Sequence, residues 1–266
     1  MFNNRTLEMT SPRFTQQVEN LNVEVFTQRQ EMGRAAAEDA ARHLRQLLAE
    51  QGRVRIIFAA APSQNEFLAH LAVADDIDWA RVDAFHMDEY VGLPDNSTAL
   101  FSHYLTQNLF DKVKPGAVYR IPASGDPQQL CEAYSTLLQQ APVDMVCLGI
   151  GENGHLAFND PPVADFNDPQ AMKIVELDDI CRQQQVNDGC FPSFDAVPTH
   201  ALTLTIPTLM AAGRLFCMVP GKNKHWAIRE TLTAAPSVAC PATVLRSHHS
   251  CTLYTDLEGY GELPNA

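Results

Sequence analysis

Positive charge is scarce in this sequence: 19 lysines and arginines stand against 32 acidic residues, a formal net charge of −13 at pH 7. A general nucleic-acid surface needs a basic face to displace counterions, so that class of function is excluded. Long apolar runs are missing too, and no uninterrupted segment could cross a bilayer. No charged-then-apolar leader opens the chain, so a cytoplasmic location is the expectation. The seven cysteines, Cys131, Cys147, Cys181, Cys190, Cys217, Cys240 and Cys251, show no CxxC pair and no His/Cys ligand cluster. They read as reduced, mostly buried thiols, and no metal site is expected from them. Internal repeats, low-complexity tracts and linkers are absent as well, so the 266 residues are expected to form one domain with a sizeable core.

What is present is an alternation of short apolar runs and amphipathic stretches. The first twenty or so residues are polar with little periodicity and are expected to fray or lie over the surface. Val23–Phe26 reads as a strand. Met32, Ala36, Ala40, Leu44 and Leu47 then recur at helical spacing up to Gly52. Val54–Ala61, Val82–Met87, Val118–Ile121 and Val143–Gly149 read as strands, with helical patterns after Pro62, after Thr98 and over Pro127–Gln140. After a polar excursion, residues 161–199, strands return at Ala201–Thr205, Leu215–Val219 and Cys251–Thr255. Helical stretches lie at Pro207–Ala212 and Lys224–Leu232, and a tail closes the chain. The alternation implies a doubly wound α/β sheet, mostly parallel, with helices on both faces. The excursion, interrupted only by a strand at Met172–Leu177, is longer than an idle loop needs to be.

Two loops carry the candidate chemistry. The run Val143–Cys147 opens into LGIGENGHLAFNDP, Leu148–Pro161, where glycines let the backbone turn tightly beside His155, Asn153 and Asp160. Ligands of open α/β sheets bind at such strand ends, and histidine is the natural proton carrier near neutral pH. A loop histidine alone is more often a hydrogen-bonded structural group. The second loop, FHMDEYVGLP at Phe85–Pro94, also ends a strand and brings Asp88 and Glu89 to the same edge. Ser63 and Asn65 are candidate helix caps after the Val54–Ala61 strand. Lys222 and Lys224 follow Gly221 at a helix start, a plausible place for an anion.

Together, MDEYVGLP and GHLAFNDP resemble the glucosamine-6-phosphate deaminase family, over most of the chain from about Val23 to Asp256. The resemblance implies conversion of a phosphorylated 2-amino aldose to a ketose with release of ammonia. Asp88 would take the C2 proton, and His155, oriented by Asn153 and Asp160, would shuttle the ring-oxygen proton. It implies that Ser63, Gln64 and Lys224 hold the sugar phosphate, that residues 161–199 form a lid, and that no metal or cofactor takes part. A homo-oligomer is possible.

The chain departs from the family at four points. Ala61-Pro62-Ser63-Gln64-Asn65 replaces a Gly-rich, Thr-containing turn, and Asn187 stands near the place of a phosphate-binding arginine, with Arg182 the candidate substitute. Asn153 and Asp160 stand where an aspartate and a glutamate are usual. These departures leave other readings open beside glucosamine 6-phosphate: galactosamine 6-phosphate as substrate, lactone hydrolysis of the 6-phosphogluconolactonase kind with His155 activating water, and a sugar-phosphate-binding regulator without turnover.

Overall fold

The computed structural model describes residues 10–261. Eleven strands and nine α-helices alternate along them. In chain order they are β1 (Phe14–Val18), β2 (Leu21–Phe26), α1 (Arg29–Glu50), β3 (Val54–Phe58), α2 (Asn65–Leu71), β4 (Val82–His86), β5 (Asp88–Tyr90), α3 (Phe101–Leu105), α4 (Asp111–Val113), β6 (Ala117–Tyr119), α5 (Pro127–Gln139), β7 (Met145–Leu148), β8 (Met172–Glu176), α6 (Asp179–Asn187), β9 (His200–Leu204), α7 (Ile206–Met210), β10 (Arg214–Met218), α8 (His225–Thr233), β11 (Cys251–Asp256) and α9 (Leu257–Tyr260).

Eight strands form one sheet in the order β1-β2-β11-β10-β7-β3-β4-β6, parallel except for the β1–β2 hairpin. The chain runs outward from β3 through β4 to β6, then returns to the other side of β3 as β7 and continues outward to β10 and β11. Strand order therefore reverses between β3 and β7, and the loops leaving their C-terminal ends part there to make a crevice. Three further strands, β5-β9-β8, form a small antiparallel sheet.

The strands are apolar because both faces are covered. Val54, Ile56 and Phe58 of β3 face one core with Met32, Ala36, Ala40 and Leu44 of α1, whereas Ile57 faces a second core with Tyr134 and Leu138 of α5 and Ile228 of α8. The pleat of β10 divides in the same way, Phe216 and Met218 against Leu215 and Cys217. Arg55, the one charge in β3, is buried. Its guanidinium donates to the carbonyls of Leu137 (2.6 Å) and Leu138 (2.8 Å) and to that of Ala141, answering the negative end of α5.

Several elements differ from the sequence reading. Phe14–Val18, read as polar and aperiodic, is an edge strand held by pairing with β2, which a search for an apolar face cannot find. Leu257–Tyr260, read as tail, is a short helix capped by Asp256, whose carboxylate accepts from the Gly259 amide at 2.8 Å. Residues 1–9 and 262–266, the remainder of those two expectations, lie outside the described residues. The polar excursion contains α6, which buries Cys181, Gln184 and Gln185 and so shows no apolar stripe; Asp178 caps it by accepting from Ile180 and Cys181. Neither Ser63 nor Asn65 caps α2, which is entered through a 3-10 turn at Pro62–Gln64. No helix among the described residues is long and apolar enough to cross a membrane.

Candidate active site

The crevice between β3 and β7 holds a compartment of about 70 Å³. Asp88 and His155 both line it, together with Ser63, Gln64, Gln184 and Lys224. Seven of the eight residues expected at the site thus lie at or beside one cleft, because Asn153 and Asp160 bond directly to His155.

Asp88 reaches the cleft through a break between two strands. The strand expected over Val82–Met87 stops at His86, and Asp88 begins β5, which turns away to pair with β9 in the small sheet. His86 holds the break. Its Nδ1 donates to the Asp88 carbonyl (2.9 Å), and its Nε2 accepts from the Ile121 amide (2.8 Å). Burial pushes its imidazole down to about 4, so it stays neutral, as that bonding pattern requires. His86 is thus a buried structural residue.

The pleat of β5 then separates the two adjacent acids. Asp88 faces the cleft, whereas Glu89 is fully buried and points away, accepting from the backbone amides of Tyr90 (3.1 Å), Phe101 (3.1 Å) and Ser102 (3.0 Å) at the start of α3. Burial raises Glu89 to about 7 in spite of those three donors. Burial, and after it the Glu89 charge, lifts Asp88 well above the ordinary carboxylate range. A carboxyl so placed is a stronger proton acceptor, once ionised, than one in water.

The loop after β7 folds tightly around His155. The Gly151 amide donates to the His155 carbonyl (3.0 Å), and the Gly154 amide, at φ +83°, to the Gly151 carbonyl (2.9 Å). The imidazole lies directly on Gly151, where a Cβ would come within 2.1 Å of the ring. On its other side Nδ1 lies 2.7 Å from Asn153 Oδ1 and 2.9 Å from Asp160 Oδ1, and the Asn153 side-chain amide donates to the same Asp160 oxygen (3.0 Å). With its proton on Nδ1, the ring leaves Nε2 free as an acceptor. Burial works to raise the Asp160 carboxyl, but the His155 charge and the bonds from His155, Asn153 and Cys181 outweigh it and hold Asp160 below its usual range. Asn159, of the same motif, is a brace: its amide donates to the carbonyls of Leu156 and Leu204, both at 2.8 Å.

Lys224 stands at the start of α8, buried, and looks into the cleft. Gln64 is buried as well, its amide 3.1 Å from Ser63 Oγ and 3.4 Å from the carbonyls of Leu148 and Met218. Arg182 does not join them. Its guanidinium donates to the carbonyls of Phe194 (3.1 Å) and Val197 (3.0 Å) and stacks on the Phe194 ring, so it braces the segment 161–199 instead of facing the cleft. From α6 the cleft receives Gln184 and Gln185. Gln185 Oε1 accepts from the Tyr90 hydroxyl (3.0 Å), and Gln184 Oε1 from the Glu152 amide (2.8 Å). Both were missed in the sequence, where a run of glutamines carries no chemical signal.

Among the described residues, one group could bind a metal: His155, Asp160 and Cys181 bring ligating atoms within 4.8 Å of one another. The expectation of no ligand cluster overlooked it because Cys181 arrives from α6. The imidazole and carboxylate are already bonded to each other, and burial, ahead of nearby carboxylates, keeps the Cys181 thiol protonated.

A family model of glucosamine-6-phosphate isomerases and 6-phosphogluconolactonases matches residues 27–254. Over 184 residues, 68% of this chain and 68% of theirs, the chain is 38% identical to glucosamine-6-phosphate deaminases of Bacillus thuringiensis (strain Al Hakam) and Bacillus cereus (strain AH820). The structure of a monomeric glucosamine-6-phosphate deaminase superposes with a TM-score of 0.81 at 26% identity, covering 89% of this chain and 98% of that one. A 6-phosphogluconolactonase from Thermotoga maritima superposes with a TM-score of 0.72 at 20% identity, covering 88% and 98%, which is a likeness of fold.

Proposed function

The chain belongs to the family of glucosamine-6-phosphate isomerases and 6-phosphogluconolactonases, and on that premise we propose that it is an enzyme of the amino-sugar-phosphate deaminase/isomerase class. The reference reaction converts glucosamine 6-phosphate and water to fructose 6-phosphate and ammonia. The observation that carries this reading is the meeting of Asp88 and His155 in one small compartment, reached from two loops far apart in sequence.

The geometry supports the following roles. His155, with its proton on Nδ1 held by Asn153 and Asp160, takes the hydroxyl proton at Nε2 and returns it to the ring oxygen as the sugar opens. Asp88 removes the proton from C2, and the electrons form a C1–C2 double bond as the C1 carbonyl oxygen takes up a proton from solvent. Asp88 then delivers its proton to C1 as the nitrogen lone pair closes the C2–N double bond and an N–H proton returns to solvent. The C2–N bond is then an imine, and water releases its nitrogen as ammonia. Enclosure matters because the C2 proton is weakly acidic and a carboxylate competes poorly for it in open water. Lactone hydrolysis would remove no proton from C2 and would leave Asp88 without that role, and the solved lactonase likeness at 20% identity is one of fold.

The test is a panel of phosphorylated and free amino sugars scored for ammonia and ketose, with 6-phosphogluconolactone alongside. Asp88→Asn should abolish turnover, at least about 10³-fold by loss of the base, while ligand still binds. Wild-type rates in that variant would remove Asp88 from the mechanism. Lactone turnover without ammonia would replace the deaminase reading with the hydrolase one.

A further inference from the structure

Beyond Lys224 the cleft continues into a second compartment of about 230 Å³, which shares Ala61, Ser63, Gln184 and Lys224 with the first. Its walls carry opposite charge. Lys222 and Lys224, at the start of α8, form the positive side. Glu152, Asp188 and Glu258 form the negative side. The remaining cation in its lining, Arg29, is engaged elsewhere: Nε and Nη2 lie 2.8 and 2.9 Å from the Glu66 carboxylate, and Nη2 also donates to the Pro62 carbonyl at 3.0 Å.

The negative side is built, not incidental. Asp188 closes α6, where unpaired carbonyls present the negative end of the helix. Its amide donates to the Gln184 carbonyl (2.8 Å), and Gln184 Nε2 approaches its carboxylate at 3.4 Å. Through Oε1 the same Gln184 holds the Glu152 amide, so one side chain fixes both acidic residues at the cleft. The Lys224 ammonium is thereby answered: burial lowers its pKa, and the Asp188 and Glu152 charges act in the opposite direction. On the sheet side, Pro62 has no N–H to offer an anion. Two lysines face three carboxylates, and a phosphate dianion placed there would add two further negative charges to a surplus of one.

We propose that this compartment receives an uncharged, hydroxyl-bearing end of the sugar, so that the enzyme prefers amino sugars without a phosphate, with Asp188 and Glu152 setting that preference. The inference rests on the deaminase/isomerase chemistry assigned to Asp88 and His155, and differs from the reference reaction only in the group at the far end of the substrate. Carboxylates accept hydrogen bonds from sugar hydroxyls and repel phosphate oxygens, so they select by attraction and exclusion together.

The experiment compares binding of 2-amino-2-deoxyglucitol and its 6-phosphate, which cannot isomerise, by titration calorimetry on the wild-type chain. Turnover of glucosamine and glucosamine 6-phosphate is measured in parallel. The unphosphorylated ligand is expected to bind more tightly by at least about 5-fold. Asp188→Asn is expected to shift the ratio at least 10-fold toward the phosphate, and Glu152→Gln, a second variant in case the first fails to fold, in the same direction. Tighter binding of the 6-phosphate by the wild type, or an unshifted ratio in both variants, overturns the proposal and leaves the deaminase/isomerase reading standing. Preference for the unphosphorylated ligand without turnover of either sugar upholds the proposal and overturns that reading. Binding of neither ligand overturns both.

Discussion

Gly151→Ala offers the sharpest test of how His155 is held. An added Cβ would lie 2.1 Å from Cε1 and 2.3 Å from each ring nitrogen. Carbon contacts settle at about 3.5 Å, so the imidazole would have to withdraw by roughly 1.4 Å. It cannot do so and keep its bonds, because Nδ1 is fixed at 2.7 Å from Asn153 and 2.9 Å from Asp160. A displacement near 1 Å costs on the order of 100-fold in rate, and overpacking a tight site costs about 1–3 kcal/mol of stability. For a chain of this size that is a fall of roughly 2–12 °C in Tm. The assay is kcat for ammonia release at a temperature well below both melting transitions, with Gly52→Ala as control, since a Cβ at Gly52 meets nothing within 4 Å. A kcat for Gly151→Ala within 3-fold of wild type would show that the imidazole does not need its observed position.

Two further substitutions test the buried acids, with opposite dependence on pH. Glu89, at about 7 in the folded chain against an ordinary 4.5, binds its proton more tightly folded than unfolded. Its contribution to stability is therefore fully present below pH 4.5 and is lost, by about 3 kcal/mol, as pH rises to 7. Glu89→Gln removes that slope, so the penalty of the substitution, measured by urea unfolding, should shrink by about that amount over the window. A constant penalty would mean that the three backbone donors win over burial. Asp160 is displaced downward, so its contribution is present above its unfolded value of 3.8 and disappears as pH falls through the folded one. Asp160→Asn should cost about 1–3 kcal/mol at pH 7 and nothing in strong acid, and it should slow ammonia release by at least 10-fold through loss of His155 orientation. A penalty that persists undiminished at low pH would place its cause in packing and not in the Asp160 charge.

The doubly wound sheet was legible because buried parallel strands write themselves as short apolar runs, and the runs at Val54, Val82, Val143 and Leu215 all became strands. Asp88 and His155 were legible through the two motifs. What stayed hidden depended on pairing and on pleat. Phe14–Val18 is a strand because β2 supplies its partner. The fate of Glu89 follows from which way one residue of β5 faces, and letters do not show that. Arg182 was a reasonable candidate by charge and place, yet its guanidinium is taken up by two carbonyls and a ring that only the folded segment provides. Gln184 and Gln185 gave no signal at all, since an amide becomes informative only when its neighbours are known.

The pairing of β5 with β9, Asp88 opposite Thr203 and Glu89 opposite Leu202, does more than join two strands. A slip of one position would exchange the acid that lines the cleft for the one that anchors α3. Which of two neighbouring carboxylates lines the cleft is thus decided by alignment across a three-stranded ribbon, and His86, by clasping the backbone where that ribbon departs from the main sheet, keeps the alignment from drifting.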